Sequence, residues 1–329
     1  MVDKQYFKDK VFAIQSESDF QQLALEMFNY QAGYNNVYQS YLDFLNVKVS
    51  AVKSLSQIPF LPISFFKSQK VKTGDYTPSK VFTSSGTGGA SSKHLVGDLA
   101  VYEKSFNRAF RNFYGDPKSW CILALLPSYL EREGSSLIYM AQALIDQSDD
   151  EDSDFYLNQW DDLREVLEKK KMEGKKTMLL GVSFGLLDFV EHHTINFPEL
   201  TVMETGGMKG RRKEMIRADL HALLKVGFVV KSIHSEYGMT ELLSQAYSSG
   251  DGRFFTPPWM RIFTRQTDDP FSATRPGKTG GMNVVDLANI DSCAFIETQD
   301  LGRIYSDGSF EVMGRFDNSD IRGCNLMVI

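Results

Sequence analysis

Cysteine is scarce in this chain: Cys121, Cys293 and Cys324 are the only three in 329 residues, and no two of them form a Cys-x-x-Cys pair. That excludes a disulfide framework and a thiolate zinc site, and it points to a reducing, cytoplasmic compartment. Positive charge is also short. Lys and Arg number 36 against 42 Asp and Glu, giving a net charge of −6 with no basic stripe, so a nucleic-acid footprint is not expected. No apolar run reaches membrane-spanning length. The opening Met1-Val2-Asp3-Lys4-Gln5 has no apolar segment behind it and does not read as a secretory leader. Internal repeats and low-complexity linkers are missing as well.

What is present is a globular composition, 42% hydrophobic and 24% charged, in a chain long enough for one large or two modest domains. Helical spacing of Phe20, Leu23, Met27, Phe28, Tyr38 and Leu42 predicts two or more helices over residues 20–47. Residues 58–63, with two prolines, read as an extended segment leading toward a glycine-rich loop. Strands are predicted at 79–83, 120–126, 177–180, 200–204 and 228–233, and helices at 98–113, 135–144, 161–172, 186–192 and 212–224. The acidic run 149–152 and the lysines 169–171 read as a solvated loop and a solvated helix end. Such alternation predicts an α/β core over residues 1–250, its sheets mainly parallel and covered by helices. Short strands and glycine turns over 251–329 predict a smaller antiparallel β subdomain.

Residues 83–93 pack six hydroxyls and three glycines before Lys93. Glycines let backbone N–H groups turn toward an anion, and the hydroxyls and the lysine add donors and a positive charge, so the stretch reads as a phosphate loop or as a flexible surface loop. It matches neither the Walker A pattern nor the dinucleotide fingerprint. A second stretch, Ser235-Glu236-Tyr237-Gly238-Met239-Thr240-Glu241, follows a predicted strand, and carboxyl ends of strands are where α/β sheets bind ligands. A tyrosine there can stack on a purine, a threonine can bond a phosphate and a glutamate can hold Mg²⁺. The same stretch could be a plain strand-to-helix turn capped by Thr240. Further on, Asp300 and Arg315 form the kind of pair that can grip a ribose diol.

Taken together and in this order, these stretches resemble the adenylate-forming superfamily of acyl-CoA synthetases and peptide-synthetase adenylation domains. Ser84-Ser85-Gly86-Thr87-Gly88-Gly89 is similar to that family's phosphate loop. Tyr237-Gly238-Met239-Thr240-Glu241 is similar to its adenine, phosphate and magnesium segment. Thr205-Gly206-Gly207 stands where the family has a glycine pair against adenine. Asp300 is similar to the ribose aspartate, and Gly314-Arg315-Phe316-Asp317 to the ribose arginine and hinge. The resemblance implies ATP and Mg²⁺, with Glu241 on the metal and Thr240 on the α-phosphate. It departs from the family at the end, where the C-terminal lid domain and its lysine have no counterpart. That form resembles the acyl-protein synthetase of the bacterial luciferase fatty-acid reductase complex, in which a cysteine near the C-terminus accepts the acyl group. Cys324 stands at the corresponding place. The resemblance therefore implies a fatty or other carboxylic acid as substrate, Cys324 as acyl acceptor, and a reductase as partner.

Other readings remain open. Gly181-Val182-Ser183-Phe184-Gly185 lies between a predicted strand and helix, as a hydrolase nucleophile elbow does, with Asp219 and His234 as the triad partners to be considered. A non-catalytic nucleotide-binding relic is a third. Cys121 and Cys293 read as structural. His94, His192, His193 and His221 have no carboxylate at metal-ligand spacing and read as core or helix-surface residues.

Overall fold

The computed structural model describes residues 3–84, 91–126, 134–206 and 215–316. The chain opens with α1 (Lys4–Lys10), α2 (Glu17–Tyr34) and α3 (Asn36–Phe44). Ser16 and Asp19 close a reciprocal capping box on α2, which satisfies two of the amides that a helix start leaves bare. Its buried residues Phe20, Leu23, Ala24, Met27, Phe28 and Gln31 share one face. Next come β1 (Leu61–Pro62), the short α4 (Phe65–Ser68), and the hairpin β2 (Lys80–Thr83) and β3 (Lys93–Val96). Helix α5 (Leu99–Tyr114) is capped by Asp98, whose carboxylate accepts from the Ala100 amide.

The alternating region follows as β4 (Cys121–Leu125), α6 (Ser136–Gln147), β5 (Asp154–Phe155), α7 (Trp160–Glu173), β6 (Thr177–Val182), α8 (Ser183–His192), β7 (Thr201–Thr205), α9 (Arg217–Phe228) and β8 (His234–Tyr237). Strands β9 (Ala246–Ser248), β10 (Met260–Arg265), β11 (Gly280–Asp286), β12 (Phe295–Ile304) and β13 (Phe310–Arg315) complete the described chain. One sheet runs β5-β4-β6-β7-β8-β9, parallel except for the last pair. Strands β4 and β6 are buried at every position, as expected of strands covered by helices on both faces. The second sheet runs β1-β12-β11-β10 with β13 also on β12, and only its β1–β12 pair is parallel. Phe28 and Tyr38 of the opening helices pack on Phe295 of this second sheet. Gln31 fastens the same helices to the turn before it, donating to the Asn289 carbonyl at 2.8 Å and accepting from the Ala294 amide at 2.9 Å. No helix among the described residues is long and apolar enough to cross a membrane.

Four expectations need correction. Residues 228–233 do not form a strand: α9 runs through Phe228 and is stopped by Val229 in the left-handed conformation (φ 54°), and the strand is His234–Tyr237. The apolar pair Val229-Val230 imitated a strand where the chain was turning. The helix expected at 212–224 is seen from Arg217 to Phe228, and residues 212–214 lie outside the described residues. Residues 58–63 do not lead straight into the glycine loop, because Leu61–Pro62 pairs in parallel with Ile296 and Glu297. Finally, neither the acidic run nor the lysine run is simply solvated. Lys170 is 3% exposed, and its ammonium lies 2.8 Å from Asp150, 2.7 Å from Asp152 and 3.0 Å from Glu173. A local charge pattern cannot show that two like-charged runs of opposite sign face one another.

Candidate active site

The carboxyl end of β8, paired with β7, meets β12 at Asp300, and the turn after it meets the hairpin β2–β3 at His94. In the hairpin the last pair is Thr83 with Lys93, and Lys93 is exposed. The Ser84 amide donates to the Ser92 carbonyl at 3.1 Å and the Ser92 amide to the Ser84 hydroxyl at 2.9 Å, so the two flanks of the glycine loop are tied together. Ser85, Gly86, Thr87, Gly88 and Gly89 themselves lie outside the described residues, as do Gly207 and Cys324.

One residue past the loop, His94 reaches the second stretch. Its Nδ1 lies 2.8 Å from the Thr240 carbonyl oxygen. Burial pushes its pKa down to about 4, so the ring is neutral and Nδ1 carries the proton that it donates to that carbonyl. The Ser92 hydroxyl hydrogen-bonds the Glu241 carboxyl, while the Asn289 amide donates to the Glu241 carbonyl at 2.9 Å. Glu241 is 5% exposed, and burial raises its pKa against the pull of Ser92. Just beyond it, the Leu243 and Ser244 amides both donate to the Asp286 carboxylate, at 2.8 and 3.0 Å, which fixes the exit of the turn.

At the other end of the turn, Tyr237 is the last residue of β8 and is buried, with Phe254 and Phe310 edge-on to its ring. Its hydroxyl donates to Asp300 Oδ2 at 2.8 Å, and Arg315 Nε donates to Asp300 Oδ1 at 2.9 Å. Asp300 and Arg315 are direct partners in the β12–β13 register, which is why residues fifteen apart converge. Gly238 is exposed, and Met239 and Thr240 are half-buried. A side chain on Gly238 would begin 2.4 Å from Glu236 Oε1, so any larger residue there would push that carboxyl from its place.

Gly206 adopts a positive φ of 69° at the end of β7, and its carbonyl accepts the Ser183 hydroxyl at 2.8 Å. Ser183 also lies 3.3 Å from Glu204. Among the described residues no histidine bonds Ser183: His221 faces Glu204 and Ser235, and His234 Nδ1 lies 3.1 Å from the Tyr114 hydroxyl. Gly181 has a packing reason of its own, since a Cβ there would fall 2.6 Å from Leu186. Cys121 and Cys293 are buried, and burial pushes each thiol up to about 12.

Thus Ser84, Lys93, Gly206, Tyr237, Gly238, Met239, Thr240, Glu241, Asp300 and Arg315 gather at one edge. Sequence reasoning missed the residues that join them. Asn289 carried no motif signal, Ser92, Thr205 and Glu236 lay inside the quoted stretches without being given a role, and His94 was read as a core or helix-surface residue. Among the described residues no group of three His, Cys, Asp or Glu could hold a metal ion. A lone buried carboxylate suits Mg²⁺ nonetheless, because that ion keeps several waters and takes one or two carboxylates together with substrate phosphates.

A family model described as acyl-protein synthetase, LuxE, matches residues 7–329. No curated protein matches the sequence. Among solved structures, ATP-bound MatB from Rhodopseudomonas palustris is 15% identical, with a TM-score of 0.55 over 71% of this chain and 47% of that one. The chain thus spans about half the length of that structure. A 2-hydroxyisobutyryl-CoA ligase in complex with 2-HIB-AMP and CoA is 14% identical, with a TM-score of 0.68 over 93% of this chain and 70% of that one. At these identities the likeness is one of fold.

Proposed function

The chain belongs to the acyl-protein synthetase LuxE family, and from that premise we propose that it activates a carboxylic acid as its acyl adenylate at the expense of ATP, in the cytoplasm. The acid is a fatty acid, and the acyl group passes to Cys324 and then to a partner reductase. The observation that carries this reading is the polar chain joining the four stretches: Ser92 and His94 to Glu241 and Thr240, and Tyr237 through Asp300 to Arg315. It is the arrangement a nucleotide needs, with an anion-binding hairpin at one end and an aromatic wall with a diol-binding carboxylate at the other.

In this reading the base lies along Tyr237 with Gly206 and Gly207 beneath it, and Asp300 and Arg315 take the ribose hydroxyls. Gly238 and Met239 leave room for the sugar-phosphate, and Thr240 bonds the α-phosphate. Ser84, Ser85, Gly86, Thr87, Gly88, Gly89 and Lys93 wrap the β- and γ-phosphates. Glu241 would hold Mg²⁺, which supplies charge neutralisation on the phosphates. A carboxylate oxygen of the acid bonds the α-phosphorus, the bond to the β-phosphate bridging oxygen breaks, and pyrophosphate leaves. No side chain takes part covalently, so the protein contributes positioning and charge stabilisation. In the second step the Cys324 thiolate attacks the acyl carbonyl and AMP leaves.

Carboxylate-dependent exchange of labelled pyrophosphate into ATP, over straight-chain acids from acetate to palmitate, tests the first step. Exchange absent with every acid removes the reading. For the second step, label from radioactive fatty acid should stay on the denatured protein and vanish in Cys324→Ser; undiminished label in that variant removes the cysteine.

A further inference from the structure

Glu204 and Glu236 stand on adjacent strands at the site edge and face opposite sides of the sheet. The register pairs Glu204 with Ser235 and Thr205 with Glu236, and side chains alternate along each strand. Glu204 is a matched charge. Burial opposes its ionisation, but His221, Arg217 and Ser235 overcome it and its pKa is lowered. Glu236 has a different setting. One carboxyl oxygen accepts from the Thr205 hydroxyl, and the other stands over Gly238, the exposed residue that separates Tyr237 from Met239 and Thr240.

We propose that the Glu236 carboxyl, oriented by Thr205 and uncovered by Gly238, is the hydrogen-bond donor that receives the carboxylate of the acid substrate. This deepens the acyl-adenylate reading and rests on it. The reacting carboxylate must lie near the α-phosphate, hence beside the turn between Tyr237 and Thr240. A carboxylate entering a largely dehydrated place needs a donor. A neutral O–H donor orients it through a short charge-assisted bond without placing a cation on the oxygen that attacks phosphorus.

The groups facing Glu236 are Thr205 from β7, Tyr102 and Tyr114 from α5, and Tyr247 opposite it on β9, with the Glu204 charge on the far side of the sheet; none of them is a cation. Burial, chiefly, and then Glu204 push its pKa up to about 7, against the hydrogen bond from Thr205. The tyrosines are themselves held protonated by burial. Above that range Glu236 ionises and repels the substrate.

The test is the KM for octanoate in pyrophosphate exchange between about pH 6 and pH 9, where the substrate stays a carboxylate throughout. In wild type KM is expected to be flat below neutrality and to rise about tenfold per pH unit above it. Glu236→Gln keeps an amide donor, so its KM should be independent of pH. Glu236→Ala should raise KM about tenfold at the lowest pH, as loss of one hydrogen bond to a charged group does. ATP affinity measured by calorimetry without acid should be the same in all three proteins. Wild-type exchange with a pH-independent KM, or a Glu236→Gln profile that follows wild type, overturns this contact alone. Absence of exchange in wild type with every acid overturns the adenylation reading and this contact with it.

Discussion

Two regions of this molecule bury charge, and they handle it in opposite ways. Under the end of α7, the Lys170 ammonium has Asp150, Asp152 and Glu173 all within 3.0 Å. Burial alone would lower its pKa, but the three carboxylates raise it, so the ammonium keeps its charge. At the site edge, burial wins at two groups, shifting Glu236 toward its neutral form and keeping His94 neutral, while Glu204 beside them keeps a matched charge. The first arrangement holds a loop against a helix and asks for nothing more. The second keeps acids and donors at the mouth of the sheet in a state that an incoming anion can use.

That contrast can be broken from either side. The largest effect should come from Lys170→Met, which leaves the buried Asp150 with only Lys175 at 3.5 Å and Asp152 with only the more exposed Lys169. Loss of about 3–5 kcal/mol in urea unfolding is expected, with exchange activity retained at temperatures where the variant is folded. A stability unchanged within error would mean that the cluster is not structural. Next, Glu241→Ala should lower exchange about a hundredfold or more, the scale of removing one preorganised electrostatic contact, with little change in unfolding. Activity within a factor of two of wild type would take Glu241 out of the site.

A smaller effect separates the two kinds of burial by pH. Unfolded, Glu236 ionises in the ordinary carboxylate range; folded, it holds its proton to about pH 7. The native state therefore binds more protons between those values, and wild-type stability should fall as pH rises through that window, by about 1.4 kcal/mol per unit of pKa difference. Glu236→Gln should remove that part of the slope, and parallel slopes in the two proteins would place its pKa elsewhere. The smallest effect concerns Ser183, whose hydroxyl is spent on Gly206 and Glu204. A fluorophosphonate probe should leave it unlabelled, and ATP-independent labelling there would revive the hydrolase alternative.

The contrast also explains what a reader of the sequence could see. The alternation of strands and helices was legible because fully apolar strands such as β4 and β6 stand out between amphipathic helices. The motif stretches were legible because glycine, hydroxyl and acidic residues are crowded where no core element would choose them. The buried pairing of the two charged runs was not, since each is an ordinary solvated pattern by itself. The strand at His234–Tyr237 was displaced by six residues because Val229 and Val230 are β-formers, while the helix end is set by the left-handed turn at Val229.

The amino-acid order by itself determined which side chains were available at the site: a serine-rich glycine hairpin, the Tyr237 to Glu241 turn, and an aspartate and an arginine near the end. Only the tertiary structure decided that Tyr237 meets Asp300 across 63 positions, that His94 holds the Thr240 carbonyl across 146, and that Glu236 keeps its proton. The reason is that composition and periodicity act locally along a chain, whereas strand register, burial and the field of neighbouring charges are properties of the packed whole.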